Sequence, residues 1–187
     1  MRLSTGITHL LPEWEIVIRQ IGVSYEKISF NKPVNPNRHS VIIVTQKGVQ
    51  TRKDILLHYF NSGGSILAEA DVAEWLFNID IESTFVNTIE STEDPIFNGI
   101  LSGYMQTKLS LPQKADMLEC VSGRKLVQSY ISGKGTAIIL PGGFSNMILD
   151  TKARRQNFPT NALHLPSERV VRISKHTIRE VIQKSLE

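Results

Sequence analysis

Residues 39–77, HSVIIVTQKGVQTRKDILLHYFNSGGSILAEADVAEWLF, form the segment that decides the fold. Ser40–Thr45 is an uncharged, β-branched run typical of a strand covered on both faces, and Ser65–Ala68 is a second apolar run. Between them lies a predicted helix whose apolar face carries Ile55, Leu56, Tyr59 and Phe60. A helix placed between two buried strands by short connections predicts a right-handed βαβ unit of a parallel sheet.

The ends of this helix have their own signals. Thr51 is the predicted N-cap, with Asp54 in the first turn. Gly63 and Gly64 end the helix, because glycine adopts the left-handed conformation without a steric penalty. Asp71–Phe77 is predicted to form the next, short helix.

The remaining pattern extends the same architecture. Pro12–Ile21 is predicted to be a helix that ends at Gly22, and a helix capped by Ser174 is predicted near the C-terminus. The glycine-rich turn at 132–135 predicts an antiparallel hairpin. The predicted further strands are Val23–Phe30, Ile79–Val86, Tyr104–Leu111, Lys125–Ile131 and Thr136–Leu140. The fold class is therefore α/β: a three-layer, flavodoxin-like sandwich with a mostly parallel sheet and an added antiparallel hairpin.

Charge is distributed unevenly along the chain, whose net charge is +3. The segment Lys152–Glu187 has eight Lys and Arg residues against three Glu residues, so it holds the basic surplus. A basic surplus is compatible with contact to nucleic acid or anionic lipid. Because the sequence lacks an RNA-binding aromatic signature and zinc-finger spacing, a solvated helix face with a charged loop is the preferred interpretation. Nucleic acid is not an expected partner.

No apolar run approaches the length of a membrane span, and Met1–Leu11 lacks the apolar centre of a signal peptide. These observations predict a cytoplasmic location. Cys120 is the single cysteine, which excludes an internal disulfide framework and a cysteine-only metal site. The histidines have no HxxxH or HExxH spacing, and His58 is interpreted as structural. The sequence predicts no metal and no cofactor.

Four residues at the carboxyl ends of the predicted strands are the candidate binding residues, since ligands of open α/β sheets bind at that edge. They are Thr45, Glu69, Asp71 and Gly142. The two carboxylates could bind a cation or sugar hydroxyls, or act as acid and base. The preferred alternative is that Asp71 caps the next helix and that Glu69 is solvated. Gly142 and Gly143 lack the spacing of a phosphate loop, so a turn is the simpler interpretation.

Three stretches carry a family resemblance. The first is Phe60–Leu67, where a helix that follows an apolar strand ends in a Gly-Gly that starts the next strand. The second is 133–141, GKGTAIILP, which looks like the penultimate hairpin of the family. Leu165–Arg179 is similar to linkers that lead into a polysaccharide deacetylase. Together they resemble the class I glutamine amidotransferase-like superfamily, in the non-catalytic form found as an N-terminal domain of bacterial polysaccharide-deacetylase-type proteins. The resemblance implies an amidotransferase-like domain at 1–164 and a linker with a C-terminal helix at 165–187.

The chain departs from the active members of that superfamily. Their nucleophilic cysteine lies on a strand-to-helix turn flanked by glycines, whereas Cys120 has no glycine two residues before it. A late His-x-Glu motif is also missing, since Pro141-Gly-Gly-Phe-Ser145 stands where it would fall. The metal-binding signatures of the deacetylases are absent as well. A buried, inert Cys120 is therefore preferred to a nucleophile.

The resemblance implies a non-catalytic accessory or interaction domain of a larger carbohydrate-active protein. Its expected partner is a C-terminal catalytic domain, with a glycan or a second copy of the chain as further candidates. Leu186-Glu187 is typical of a cloning remnant, so we expect an excised N-terminal piece of a longer protein. The alternative is a small hydrolase whose site, at the strand ends, uses Glu69, Asp71 or Cys120.

Overall fold

The computed structural model describes residues 4–22, 24–32, 34–89, 103–113, 116–117, 120–121, 124–125 and 128–143. Its helices are α1 (Pro12–Ile21), α2 (Gln50–Asn61) and α3 (Ala70–Phe77). Its strands are β1 (Ser4–Ile7), β2 (Tyr25–Lys27), β3 (His39–Val44), β4 (Ser65–Glu69), β5 (Ile81–Ile89), β6 (Gly103–Pro112), β7 (Asp116–Met117), β8 (Cys120–Val121), β9 (Arg124–Lys125), β10 (Gln128–Ser132) and β11 (Gly135–Leu140).

A seven-stranded sheet in the order β2-β1-β3-β4-β11-β10-β7 organises these residues. The first five strands in that order pair in parallel, and β11, β10 and β7 pair antiparallel. The predicted βαβ unit is confirmed, because β3 and β4 pair directly across α2, with Ile42 opposite Ile66. The predicted hairpin is confirmed too, since Ser132 pairs with Gly135 around a two-residue turn.

The helices cover both faces of the sheet. The chain steps from β1 to β2 in one direction and from β3 to β4 in the other. Right-handed crossovers in opposite directions place α1 and α2 on opposite faces, which gives the three layers. Buried side chains of α2 and α3 pack in one cluster with Ile42, Val44 and Ile66 of the sheet. The fold class expected from the sequence, an α/β sandwich, is confirmed.

Helix α1 matches its predicted limits. Pro12 opens it, Gly22 ends it with a φ of 73°, and the Gly22 N–H donates to the Ile18 carbonyl. Trp14 and Ile18 are buried. Strand β1, which precedes this helix, is not predicted by the sequence pattern. Its Gly6 lies directly under Ile28, where a Cβ would come within 2.6 Å of the Ile28 Cδ1.

The cap predicted for α2 is wrong. The helix begins at Gln50, its N-cap is Val49, and no side-chain hydrogen bond caps it. Thr51 therefore lies inside the first turn. The helix ends as predicted: the Gly64 N–H donates to the Tyr59 carbonyl at 3.1 Å, and the intervening Gly63 has a φ of 99°.

Two small antiparallel sheets stand beside the main one. Strands β5 and β6 form a long ribbon, and β8 pairs with β9. The ribbon confirms the two strands predicted around 79–86 and 104–111, and it extends the first to Ile89. The predicted Val23–Phe30 strand shortens to β2, and Lys125 belongs to β9 rather than to β10. The predicted helix after Ser174 and the boundary at 164–165 lie outside the described residues.

Candidate functional site

The carboxyl ends of β1, β3, β4 and β11 lie side by side at one edge of the sheet. The register places Ile7 opposite Ile43, Val44 opposite Ala68, and Leu140 opposite Glu69. Residues that follow these strands therefore share this carboxyl edge, where ligands of open parallel sheets bind. Of the four candidate residues, Thr45 follows β3, Glu69 ends β4, and Gly142 lies just after β11.

Thr45 connects the end of β3 to the segment that leaves β1. Its N–H donates to the Thr8 Oγ1 at 3.2 Å, and its hydroxyl donates to the His9 carbonyl oxygen at 2.6 Å. The hydroxyl proton is thus used by the chain itself. Thr45 holds two strand ends together, which fixes the position of the loop that follows it.

Glu69 is buried, so the expectation that it is solvated is wrong. Its side chain is 8% exposed, and its Oε2 accepts a hydrogen bond of 3.1 Å from the Gly143 N–H. A buried carboxylate needs such donors, since desolvation of an unpaired charge is costly. Gly143 has a φ of 84°, which turns the chain after β11 toward this carboxylate. Glu69 therefore joins the end of β4 to the segment that follows β11.

Gly142 has a packing role beside this carboxylate. Its N–H donates to the Ser110 carbonyl at 2.8 Å, and a Cβ on it would lie 2.9 Å from the Ser110 Cβ. The glycine lets the end of β11 approach β6 closely. The expected turn is present, and it attaches the β5–β6 ribbon to the sheet.

Asp71 lies in the first turn of α3, where an acidic side chain favours the positive end of the helix dipole. The helix begins at Ala70, and its N-cap is Glu69, which makes no side-chain capping bond. The interpretation of Asp71 as the N-cap is therefore wrong. Strand β4 passes into α3 without any intervening loop.

Cys120 lies in β8, which pairs with β9 through the register Cys120 opposite Lys125. That two-stranded sheet is separate from the seven-stranded one. The backbone of Cys120 thus belongs to an antiparallel ladder and not to a strand-to-helix turn of the parallel sheet. Within the described part of the chain, no group of three or more His, Cys, Asp or Glu residues could hold a metal ion.

A shallow depression of about 260 Å³ opens at the carboxyl edge between β1 and β3. This is the topological switch point of the sheet, because the chain continues from β1 to one side and from β3 to the other. We call it the switch-point depression; its lining residues are Thr8, Phe30, Val44, Gln46, Lys47, Gly48, Arg52, Leu56 and Trp75. The sequence pattern located the Thr45–Gln46 end of β3 but not the aromatic side chains that meet there.

The charged side chains of the switch-point depression differ in their partners. Lys47 Nζ lies 3.2 Å from the Glu74 Oε2, so its charge is paired. The Arg52 guanidinium lies over the Phe30 ring, with its Cζ 5.3 Å from the ring centroid. Among the residues that the structure describes, Arg52 has no carboxylate within ion-pair distance. The depression therefore carries one uncompensated positive charge beside two aromatic rings.

Comparisons with known proteins identify the fold. No family model matches the chain, and no curated protein matches it in sequence. Among solved structures, an exo-β-1,4-mannosidase from Opitutaceae bacterium strain TAV5 superposes with a TM-score of 0.59 at 11% identity, covering 99% of this chain and 36% of the mannosidase. A β-galactosidase from Bacillus circulans sp. alkalophilus superposes with a TM-score of 0.54 at 9% identity, over 83% of this chain and 31% of that enzyme.

A ThuA-like protein from Parabacteroides merdae is also similar, with a TM-score of 0.52 at 12% identity over 75% of this chain and 79% of that one. At these identities the likeness establishes the fold alone. The chain spans about a third of the length of the two glycosidases. None of the helices in the described ranges has the length and apolar character needed to cross a bilayer.

Proposed function

We propose that this chain is a non-catalytic accessory or interaction domain of a larger carbohydrate-active protein, of the polysaccharide-deacetylase-like kind. The observation that carries the proposal is the structural role of the Glu69 side chain. Its carboxylate, at the edge where an α/β enzyme would present a reacting group, is buried and accepts a hydrogen bond from the Gly143 N–H. A carboxylate held in this way stabilises the strand ends, whereas an acid–base group must reach the substrate.

The structural neighbours support the carbohydrate context of the proposal. In the mannosidase and the β-galactosidase, the fold accounts for about a third of a longer glycosidase chain. A domain of this size beside a catalytic unit would contact a partner domain, a second subunit or the polysaccharide. The proposed partner in the full-length protein is a catalytic domain on the C-terminal side.

The alternative is a small hydrolase whose site lies at the strand ends, and turnover separates it from the accessory domain. The purified chain is incubated with neutral, acidic and acetylated polysaccharides, and released reducing ends and acetate are measured. Native gels that contain the same polysaccharides measure binding. We expect retarded migration in at least one of these gels, without release of sugar or acetate.

Glu69→Gln is the informative variant for this assay, because it keeps the size of the side chain and removes its charge. An accessory domain should lose thermal stability in this variant and show no turnover in either form. Turnover by the wild type that Glu69→Gln abolishes, at a temperature where both proteins stay folded, would establish the hydrolase and refute the proposal.

A further inference from the structure

The switch-point depression combines features that the accessory role does not use. It lies where the connections from β1 and β3 diverge, which leaves a crevice between the segments that follow them. The figure of about 260 Å³ includes space open to solvent, so the depression is a surface site that would contact one face of a ligand rather than enclose it.

Gly48 keeps this depression open. A Cβ at this position would lie 3.3 Å from the Arg52 Cδ and 3.7 Å from the Trp75 Cη2. The hydrogen of glycine thus leaves space beside both the arginine and the indole ring. Trp75 is half-buried, so part of its ring remains available to a ligand.

Arg52 gives the depression its charge preference. Its guanidinium is exposed, rests over the Phe30 ring and lacks a carboxylate partner in the described part of the chain. The cation–π contact with the Phe30 ring restricts the guanidinium, which reduces the entropy lost when it binds a ligand. Guanidinium groups bind carboxylates and phosphates through two parallel hydrogen bonds. Lys47 adds little charge because Glu74 pairs with it.

We propose that the switch-point depression binds a single sugar ring that carries an anionic group, either a carboxylate or a phosphate. Arg52 binds the anion, and Trp75 packs on the apolar face of the ring, where burial of C–H groups contributes as it does for other apolar surface. Thr8 and Gln46 belong to the same lining. Because the Thr8 Oγ1 already accepts a hydrogen bond from the Thr45 N–H, the polar group for ring hydroxyls is that of Gln46. The choice of a sugar rests on the proposed function; the choice of an anion rests on Arg52.

The test uses the whole chain and four probes: glucuronate, glucose 6-phosphate, glucose and inorganic phosphate. Binding is measured by ¹H–¹⁵N chemical-shift titration at low ionic strength. We expect saturable shifts at Gly48, Arg52 and the Trp75 indole with glucuronate or glucose 6-phosphate. Binding of glucose or phosphate alone should be at least about tenfold weaker, because each lacks one half of the recognised chemistry.

Two variants locate the site, and a third is the matched control. Arg52→Gln should weaken binding of the anionic sugar about tenfold or more, since hydrogen bonds to a charged group are the strong ones. Gly48→Ala should weaken it by a similar factor, because the methyl group occupies the space beside Trp75. Lys53→Gln removes one positive charge from the neighbouring position of α2, outside the lining, and should leave binding within about twofold.

Each other outcome overturns the inference in its own way. Equal binding of glucose and glucuronate would show that the anionic group is not recognised. Binding of inorganic phosphate as tight as that of the anionic sugars would show that the sugar ring is not recognised. Absence of saturable binding by all four probes, or an equal effect of Lys53→Gln and Arg52→Gln, would show that the depression is not the binding site. These binding results are independent of the turnover assay, so refutation of the binding site would not refute the accessory role. Turnover at the strand ends would refute that role whether or not the depression binds a sugar.

Discussion

The two ends of helix α2 are packed in opposite ways. At its C-terminal end, the Tyr59 ring covers Gly64, and Gly135 lies so close to Phe60 that a Cβ would overlap the Phe60 carbonyl oxygen and lie 2.7 Å from the ring. At its N-terminal end, the nearest atom to a Cβ on Gly48 would be the Cδ of the flexible Arg52 side chain, at 3.3 Å, and Val49 is 64% exposed. We call the tightly packed C-terminal end of α2 the closed end and its N-terminal end the open end.

This difference separates stability from recognition along one helix. Because α2 runs antiparallel to β3 and β4, its closed end lies at the amino edge of the sheet and its open end at the carboxyl edge. The close contacts that hold helix and sheet together are thus concentrated away from the depression. Substitutions at the closed end should change the free energy of unfolding, and those at the open end should change binding.

Gly135→Ala should produce the largest loss of stability. The added methyl group meets the Phe60 carbonyl, a backbone atom that cannot move aside without shifting the helix. We expect the free energy of unfolding to fall by about 3 kcal/mol, at the upper end of the range for overpacking. Urea denaturation followed by circular dichroism measures it. A loss below about 1 kcal/mol would mean that the packing at the closed end shifts to accommodate the methyl group, and that the two ends of α2 do not differ as described.

Tyr59→Phe should have the next largest effect. The Tyr59 hydroxyl lies 3.0 Å from the His39 carbonyl oxygen and 3.2 Å from the Ser65 carbonyl oxygen, so it links the starts of β3 and β4. Burial raises the pKa of this hydroxyl, which therefore stays protonated as a donor. Removal leaves buried carbonyls short of a donor and should cost about 1–2 kcal/mol in the same denaturation assay. An unchanged midpoint would show that the link is dispensable.

The pH dependence of stability should report on His39, which starts β3 and is 4% exposed. Its Nδ1 lies 3.0 Å from the Ser4 Oγ. Burial lowers the pKa of His39; nearby Glu26 opposes this shift, and Arg38 adds to it. As the pH falls, His39 therefore takes up a proton in the unfolded chain before it does so in the folded one. The contribution of His39 to the free energy of unfolding should be fully present above pH 6.5, the ordinary pKa of histidine, and should be lost as the pH drops through the lowered pKa.

Urea denaturation at a series of pH values from 8 to 5 is the measurement for His39, and His39→Gln is its control. The variant has a different absolute stability, so only the slope against pH is compared. It should lack the component of the slope that the histidine contributes. Identical slopes for wild type and variant would mean that the pKa of His39 is the same in both states.

Gly48→Ala should have the smallest effect on stability and completes the contrast. The contact at 3.3 Å involves the Cδ of a flexible arginine, and the position has no positive φ. We expect a change within about 0.5 kcal/mol, as for surface substitutions in general. A loss comparable to that of Gly135→Ala would show that the open end is also packed to its limit.

Much of the fold follows from local sequence signals. The β-branched run of β3, the Gly-Gly that ends α2 and the glycine turn of the hairpin each specify their element locally. Strand β1 escapes prediction because Ser4-Thr-Gly-Ile7 has few apolar residues, and its Gly6 is explained only by Ile28 packing over it. The Thr51 cap fails because the helix begins at Gln50, with Val49 as its N-cap, two residues before the predicted cap.

The candidate site is less predictable, for a physical reason. The rule that ligands bind at strand ends points to the edge after β3, where the switch-point depression lies. The burial of Glu69 depends on the Gly143 N–H, and the Arg52 contact depends on Phe30, so both involve partners that are distant in sequence. Periodicity and local motifs carry no information about such pairs. Tertiary contacts decide which polar groups are used internally and which remain available.

The position of β11 in the sheet has a consequence for how the chain reaches this structure. Strands β1 to β4 pair with near neighbours in sequence, whereas β4 also pairs with β11, where Ser65 lies opposite Thr136. A contact between such distant residues forms slowly, because the long intervening loop must close first. Until then, β4 presents an apolar edge to which a strand of another molecule can add. During refolding, β11 and the strands of neighbouring molecules therefore compete for the edge of β4, and the yield of folded protein depends on the protein concentration.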